Sequence, residues 1–336
     1  MSAQRPDRLA KLSFAARALE RSLRRVKKEQ ALAVDGLAVG PVHDLRVALR
    51  RCRSLAEGFS VLNPHPKWRR LRKACKELLL GLAELRDTQV MEEWVRRLGL
   101  EKGLAGAALM SSLDAERRHA RRAAHRSLKN FSGKRWKRWS RSLPERAERI
   151  SASPAHFARL ALRRLAQARE RERHWRKSQG RQAAHHLRIA LKRFRYLVES
   201  FLPEQKTAWG LDLRRLQGSL GDIHDLDVLR QRVLRMLRAQ AADSQTRGRW
   251  LGKIERARNQ AVESYWQAIV LKSGSRSAGA GSRTLWDRWE KKLRQLAGVT
   301  SPISEGSSRS AAKPVPPAAR KSSPYPGRPR RLSGAR

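Results

Sequence analysis

Four cationic side chains recur at helical spacing in VHDLRVALRRCRSLAEGF, residues 42–59: His43, Arg46, Arg50 and Arg53, at i, i+3, i+7 and i+10. Residues at these intervals share one face of an α-helix, so all four would point the same way. Guanidinium groups offer forked donors that match phosphate and carboxylate geometry, and ammonium or imidazolium groups add point charge. The chemistry of such a row is anion binding. Taken alone, though, a single basic stripe is the ordinary solvated face of a surface helix.

The stripe is not alone. The same pattern returns 142 residues later as HHLRIALKRFRYLVESF, residues 185–201, with ten of seventeen positions identical. Its matching cations are His185, Arg188, Lys192 and Arg195. Most surface substitutions cost less than about 0.5 kcal/mol, so solvated positions are free to drift. Two copies that keep His and Arg in the same places point to a common task for those side chains. Arg51 and Arg193 lie about 80° around the helix from His43 and His185 and are weaker members of the set. His186 stands where the first copy has Asp44, and a carboxylate there would repel an anion.

A second matched pair follows each stripe: LLLGLAELRDTQVM (78–91) against LQGSLGDIHDLDVL (216–229). Leu82 aligns with Leu220, Arg86 with His224, and Asp87 with Asp225. Each aspartate precedes a new periodic run and reads as a helix N-cap, worth about 1 kcal/mol. The same carboxylates are also suited to holding a neighbouring Arg or His of the basic face in position. Lys76 and Arg214 align on the helices that follow the stripes and extend the basic surface.

These side chains need helices to hold them, and helical periodicity runs through nearly the whole chain, with no strand-type alternation. The fold class expected is all-α. Opposite the first stripe, Leu45, Ala48, Leu49, Cys52, Leu55, Ala56 and Phe59 form a packing face. Helices are expected over about 7–33, 42–62, 66–84, 87–99 and 104–130, then 154–178, 181–202, 206–222, 225–242, 245–271 and 284–297. SLPERAERISAS, 142–153, reads as the junction between halves. Seven of the fourteen prolines fall in the last 36 residues, which marks the tail as disordered.

Composition narrows the partner. With 76 Lys+Arg against 30 Asp+Glu the net charge is +46, a field that opposes compaction unless polyanions or counterions answer it. The tail, 301–336, holds eight basic residues and one acid, so +39 of the charge belongs to the first 300 residues. Cys52 and Cys75 are the only cysteines, and they read as buried small hydrophobes rather than a disulfide or metal site. No apolar run reaches transmembrane length and the N-terminus has no signal-peptide core, so the expectation is a cytoplasmic protein without membrane contact. Phosphate-cradling loops of the GxxxxGK[ST] type, GxSxG elbows and zinc-ligand spacings are missing, so no cofactor, metal or catalysis is expected. Nucleic acid is the rival anion, because RWKRWSR, 135–141, interleaves Trp136 and Trp139 with cations and would suit a backbone groove with base stacking. The usual reading of such tryptophans is core packing.

HxxRVxxRRxR in VHDLRVALRRCR, its second copy HHLRIALKRFR, and the downstream LRD and LGDIHD motifs resemble the CHAD family, the conserved-histidine α-helical domain. The resemblance covers about residues 7–298, with repeats over about 7–141 and 154–298, and leaves 299–336 as a basic Pro/Ser/Arg-rich tail. It implies two pseudo-symmetric helical bundles whose basic central surface binds inorganic polyphosphate, in a family found beside triphosphatase domains or at polyphosphate granules. No ExExK motif of the triphosphatase type is present, so the resemblance implies a stand-alone, non-catalytic binding module. At the motif positions it implies polyphosphate contacts from His43, Arg46, Arg50, Arg53, His185, Arg188, Lys192 and Arg195, extended by Lys76 and Arg214, with Asp87 and Asp225 in support. Weak nucleic-acid binding is a further expectation.

Overall fold

A computed structural model describes residues 12–150, 153–239, 244–270 and 284–299. Among the described residues the chain forms eleven helices, with one isolated antiparallel bridge, between Val270 and Thr284. They are α1 (Phe14–Val34), α2 (Val39–Leu62), α3 (Pro66–Gly81), α4 (Ala83–Arg97), α5 (Gly103–Lys129) and α6 (Gly133–Glu148), then α7 (Pro154–Ser178), α8 (Arg181–Phe201), α9 (Pro203–Ala239), α10 (Ser244–Ile269) and α11 (Leu285–Ala297). The class is all-α, as expected. The disordered tail and the outermost helix ends predicted at 7–11, 240–242 and 271 lie outside the described residues.

Local chemistry sets many of the boundaries. The Ser13 hydroxyl accepts from the Ala16 N–H at 3.3 Å and starts α1, and a reciprocal Thr284–Asp287 capping box starts α11. Pro66 and Pro154 stand in first turns, where a missing N–H leaves no bond unmade. Gly298, at φ +66°, supplies the left-handed residue that ends α11.

Three expectations need correction. The junction drawn over 142–153 is largely helix, because α6 runs from Gly133 to Glu148. Ser132 caps it, and Trp136, Trp139, Leu143 and Ala147, spaced by three and four, bury one face. The two helices expected at 206–222 and 225–242 are one, α9, which passes straight through Gly218 and Gly221. A glycine costs about 1 kcal/mol in a helix interior, whereas burying each of Leu220, Ile223 and Leu226 nearby returns about 1.5–3 kcal/mol. Burial wins. The capping role of Asp87 and Asp225 falls with it, since Asp87 lies in the second turn of α4 and Asp225 in the middle of α9.

Two hydrophobic cores hold the helices, and each draws on both halves of the sequence. The larger takes in Leu45, Leu49 and Phe59 of α2 with Leu187, Leu191 and Phe201 of α8. The smaller gathers Met91, Trp94 and Val95 of α4, Leu109 and Leu113 of α5, Leu226, Leu229, Val233 and Leu237 of α9, and Trp250 and Ile254 of α10. Helices α4 and α9 pass from one core to the other. Arg86 and Asp87 fall between Leu85 of the larger core and Met91 of the smaller, and His224 and Asp225 fall between Ile223 and Leu226.

The matched helices α2 and α8 lie side by side. The rings of Phe59 and Phe201 meet edge-on at 5.4 Å, and Phe201 stacks on Phe157 at 4.1 Å. Gly58 makes the approach possible, because a Cβ there would sit 2.5 Å from the Phe201 ring. A larger residue at 58 would force the Phe201 ring to shift.

Candidate functional site

Where the two cores meet, four helices converge their polar residues: Arg46 and Arg50 from α2, Arg188 and Lys192 from α8, Arg86 and Asp87 from α4, and Asp222, His224 and Asp225 from α9. All four cations of α2 and α8 are half-buried and feel one another's charge. Burial, Arg50, Arg86 and Arg188 outweigh Asp87 and lower the Arg46 pKa to about 10. Burial, then Arg50, lowers that of Arg188 against the pull of Asp225 and Asp87. Lys192 is lowered furthest, to about 7, by burial and by Arg188, Arg50 and Arg46, with Asp225 too weak an opponent.

Neighbouring groups titrate accordingly. Burial raises Asp225 to about 6, helped by Asp222 and Asp87, although Arg188 and Lys192 resist. Burial, Arg188, His185 and Lys192 hold His224 down to about 4. His185 Nδ1 lies 3.2 Å from His224 Nδ1, and burial and Arg188 lower its pKa too. His43 stands at the exposed rim, lowered by partial burial and by Arg86.

Among the described residues these cations are left without carboxylate partners. Elsewhere the protein's scarce carboxylates are spent on arginines: Glu57 on Arg164 at 2.9 Å, Asp227 on Arg258 at 2.8 Å and on Arg181 at 2.9 Å, Asp287 on Arg169 at 2.7 Å. None of Arg46, Arg50, Arg188 or Lys192 makes an ion pair among the described residues. Arg46 Nη1 donates to the Leu79 carbonyl at 3.1 Å, one of the carbonyls that the end of α3 leaves without a helical partner, and this fixes the direction of the side chain. Arg46 Nε, Arg188 Nε and Arg86 Nη1 are buried with no hydrogen-bond partner in the protein. Unpaired guanidinium nitrogens also occur at Arg51, Arg72 and Arg146, but the charges of Arg86 and Arg188 bear on Arg46. Since a buried unpaired donor costs about 1–3 kcal/mol, the three together can take an acceptor.

The sequence-predicted residues therefore divide. Arg46, Arg50, Arg188 and Lys192 come together, with His43 and His185 at their edge and Asp87 and Asp225 acting on them from α4 and α9. Arg53 lines a cavity beside Arg50 and Lys192. Arg195 is engaged elsewhere: its Nε donates to Glu199 at 2.6 Å and its Nη1 to Gln217. Lys76 and Arg214 are exposed on α3 and α9, and neither is among the charges that bear on the central four. Of the weaker members, Arg51 pairs with Glu199 at 3.5 Å and Arg193 is exposed. Arg86 and His224 were missed as members of the centre. Their signal was present in the second motif, where they occupy the same aligned position just before the aspartates.

The tryptophans pack. Trp136 and Trp139 are buried, Trp136 stacking on Phe131 and meeting Trp139 edge-on, so the RWKRWSR segment presents no platform for bases. Cys52 and Cys75 are buried and free. No helix among the described residues is long and apolar enough to cross a membrane.

Helices alone around an internal group of unpaired cations define the class: an all-α domain with a cationic centre. The chain belongs to the CHAD family, whose CHAD domain model matches residues 17–234. Its fold is similar to the crystal structure of the CHAD domain from the plant Ricinus communis, with a TM-score of 0.53 at 21% identity over 86% of this chain and 91% of that one. It is also similar to PptA from Streptomyces chartreusis, with a TM-score of 0.58 at 16% identity over 76% of this chain and 97% of that one. No curated protein matches the chain.

Proposed function

We propose that this protein binds inorganic polyphosphate at the cationic centre and does not turn it over. The observation that carries the reading is the group Arg46, Arg50, Arg188 and Lys192, drawn from two matched helices and left without carboxylate partners. Polyphosphate is a flexible chain with about one charge per phosphate and no bases, so its receptor needs closely spaced donors rather than stacking surfaces. The centre supplies donors of that kind. The carboxylates that bear on these cations, Asp87 and Asp225, act as their counter-charges, which suits retention of an anion better than attack on it. The binding unit is residues 7–298, with 299–336 a separate basic tail, and the place of action is the cytoplasm, at polyphosphate granules.

Nucleic acid is the competing partner. Burial of Trp136 and Trp139 removes the stacking that favoured it. The test is competition: labelled polyphosphate on the full chain, displaced at physiological salt by unlabelled polyphosphate, RNA, DNA or ATP. Polyphosphate should displace at concentrations at least about tenfold lower than any other competitor. Equal displacement by RNA would refute the assignment.

A further inference from the structure

A cavity of about 210 Å³ opens between α2, α7 and α8, beside the cationic centre. Arg50 and Lys192 belong to both, so the cavity is continuous with the centre through them. Arg53, Arg164 and Arg193 add charge to its lining. Apolar groups alternate with these cations along the same helix faces: Leu160, Ile189, Leu197 and the Tyr196 ring. An inorganic phosphate chain has no apolar part to place there.

We infer that this cavity is a subsite for the base of a nucleoside phosphate whose phosphates continue onto Arg50 and Lys192. Three observations support that occupant. First, the volume exceeds the roughly 150 Å³ that accommodates one benzene ring in a protein interior, yet falls short of the roughly 300 Å³ of pockets that enclose whole drug-sized ligands. It therefore suits one planar ring system with its phosphates outside the cavity, on the cations. Second, Tyr196 lines the cavity together with Arg50 and Lys192 of the centre, and it stacks on no other ring among the described residues. Third, the polar edges of a base find Ser54 and Glu57. Arg164 Nη2 occupies Glu57 Oε1 at 2.9 Å, which orients the carboxylate and leaves Oε2 to accept from an exocyclic amine. The charge is complementary as well, since the lining holds one carboxylate, Glu57, and five cations, Arg50, Arg53, Arg164, Lys192 and Arg193.

The inference rests on the proposed anion site, because it assigns the phosphates to Arg50 and Lys192. The experiment compares ATP with inorganic tripolyphosphate on the full chain by titration calorimetry. The two share a linear triphosphate, and ATP adds a nucleoside while giving up one ionisable oxygen, so tighter binding of ATP reports a contact to the nucleoside that outweighs the lost charge. ATP should bind about tenfold tighter, the scale of one stacked base. Leu160→Trp, which fills the cavity, and Tyr196→Leu, which removes the ring, should each bring the ratio to about one. Leu160→Trp should leave tripolyphosphate affinity within about twofold, and Tyr196→Leu serves if the larger residue prevents folding. ATP binding no tighter than tripolyphosphate, with tripolyphosphate still bound, overturns the subsite and spares the anion site. Octyl phosphate binding as tightly as ATP also overturns it, since the wall would then be selecting for apolarity rather than for a planar ring. Failure of both tripolyphosphate and long polyphosphate to bind would instead remove the proposed function.

Discussion

His185 and His224 face each other through their Nδ1 atoms at 3.2 Å, one on each of two helices that meet at the cationic centre. At that separation one nitrogen donates and the other accepts, so the pair shares one proton while Arg188 and Lys192 discourage a second. Lys192 is lowered to about 7 by burial and the same arginines. An anion on Arg188 and Lys192 would reverse that pressure and draw protons onto all three groups. Asp225, raised to about 6, works in the same sense, because it carries its repelling charge only above that pH. Polyphosphate affinity should therefore rise about tenfold as pH falls from 8 to 6. Calorimetry in buffers of different ionisation enthalpy should show proton uptake on binding at pH 7.5, and proton release would contradict the assignment.

Charge reversal at Arg46 and Arg188 tests the centre most directly. Each donates from a half-buried position, and a hydrogen bond to a charged group contributes about 1.5–3 kcal/mol. The pair Arg46→Glu and Arg188→Glu should weaken polyphosphate binding at least about 100-fold with helical circular dichroism unchanged. A folded double variant of undiminished affinity would displace the site.

Lys192→Met should separate stability from function. The lysine is held among like charges, and its folded pKa lies below its unfolded value of 10.5. The fold consequently bears the full cost of that charge below about pH 7 and is relieved of it as pH rises toward 10.5. An apolar residue of similar length removes the cost, and replacing buried charge in this way gains about 1–4 kcal/mol. The variant should melt several degrees higher at pH 6, differ least from the parent near pH 10, and bind polyphosphate about tenfold more weakly.

Arg195 offers a contrast. It matches Arg53 in the repeat, yet Glu199 and Gln217 hold it. Arg195→Gln should cost about 1–3 kcal/mol of stability by leaving the largely buried Glu199 short of a partner. Polyphosphate affinity, measured well below the melting temperature, should change by less than about threefold.

Removal of residues 301–336 distinguishes the folded domain from its tail. The tail contributes net +7, and cationic segments hold polyanions with little selectivity through counterion release. Truncation should leave polyphosphate affinity within about threefold and reduce RNA binding. For the truncated protein, log affinity should fall linearly with log salt at a slope of about −3, near −0.7 for each of four contacts. A flat response would show that the central cations do not carry the binding.

Periodicity within a dozen residues determined a good deal. It specified that α2 and α8 bury Leu45, Leu49, Leu187 and Leu191 and turn a basic row the other way, because a helix's faces depend only on its own residues and their period of 3.6. The repeat showed which two helices to compare, and its aligned aspartates pointed to the helices that complete the centre. What those aspartates do was not legible. Capping and interior positions differ by whether the preceding turn is helical, and at Asp225 that was decided by Leu220, Ile223 and Leu226 bridging two cores. Nor did alignment tell Lys192, which joins the unpaired group, from Arg195, which Glu199 and Gln217 engage. Whether a cation is free for a ligand depends on which carboxylates reach it from other helices. With 30 acids for 76 cations, that allocation is set only when the helices pack.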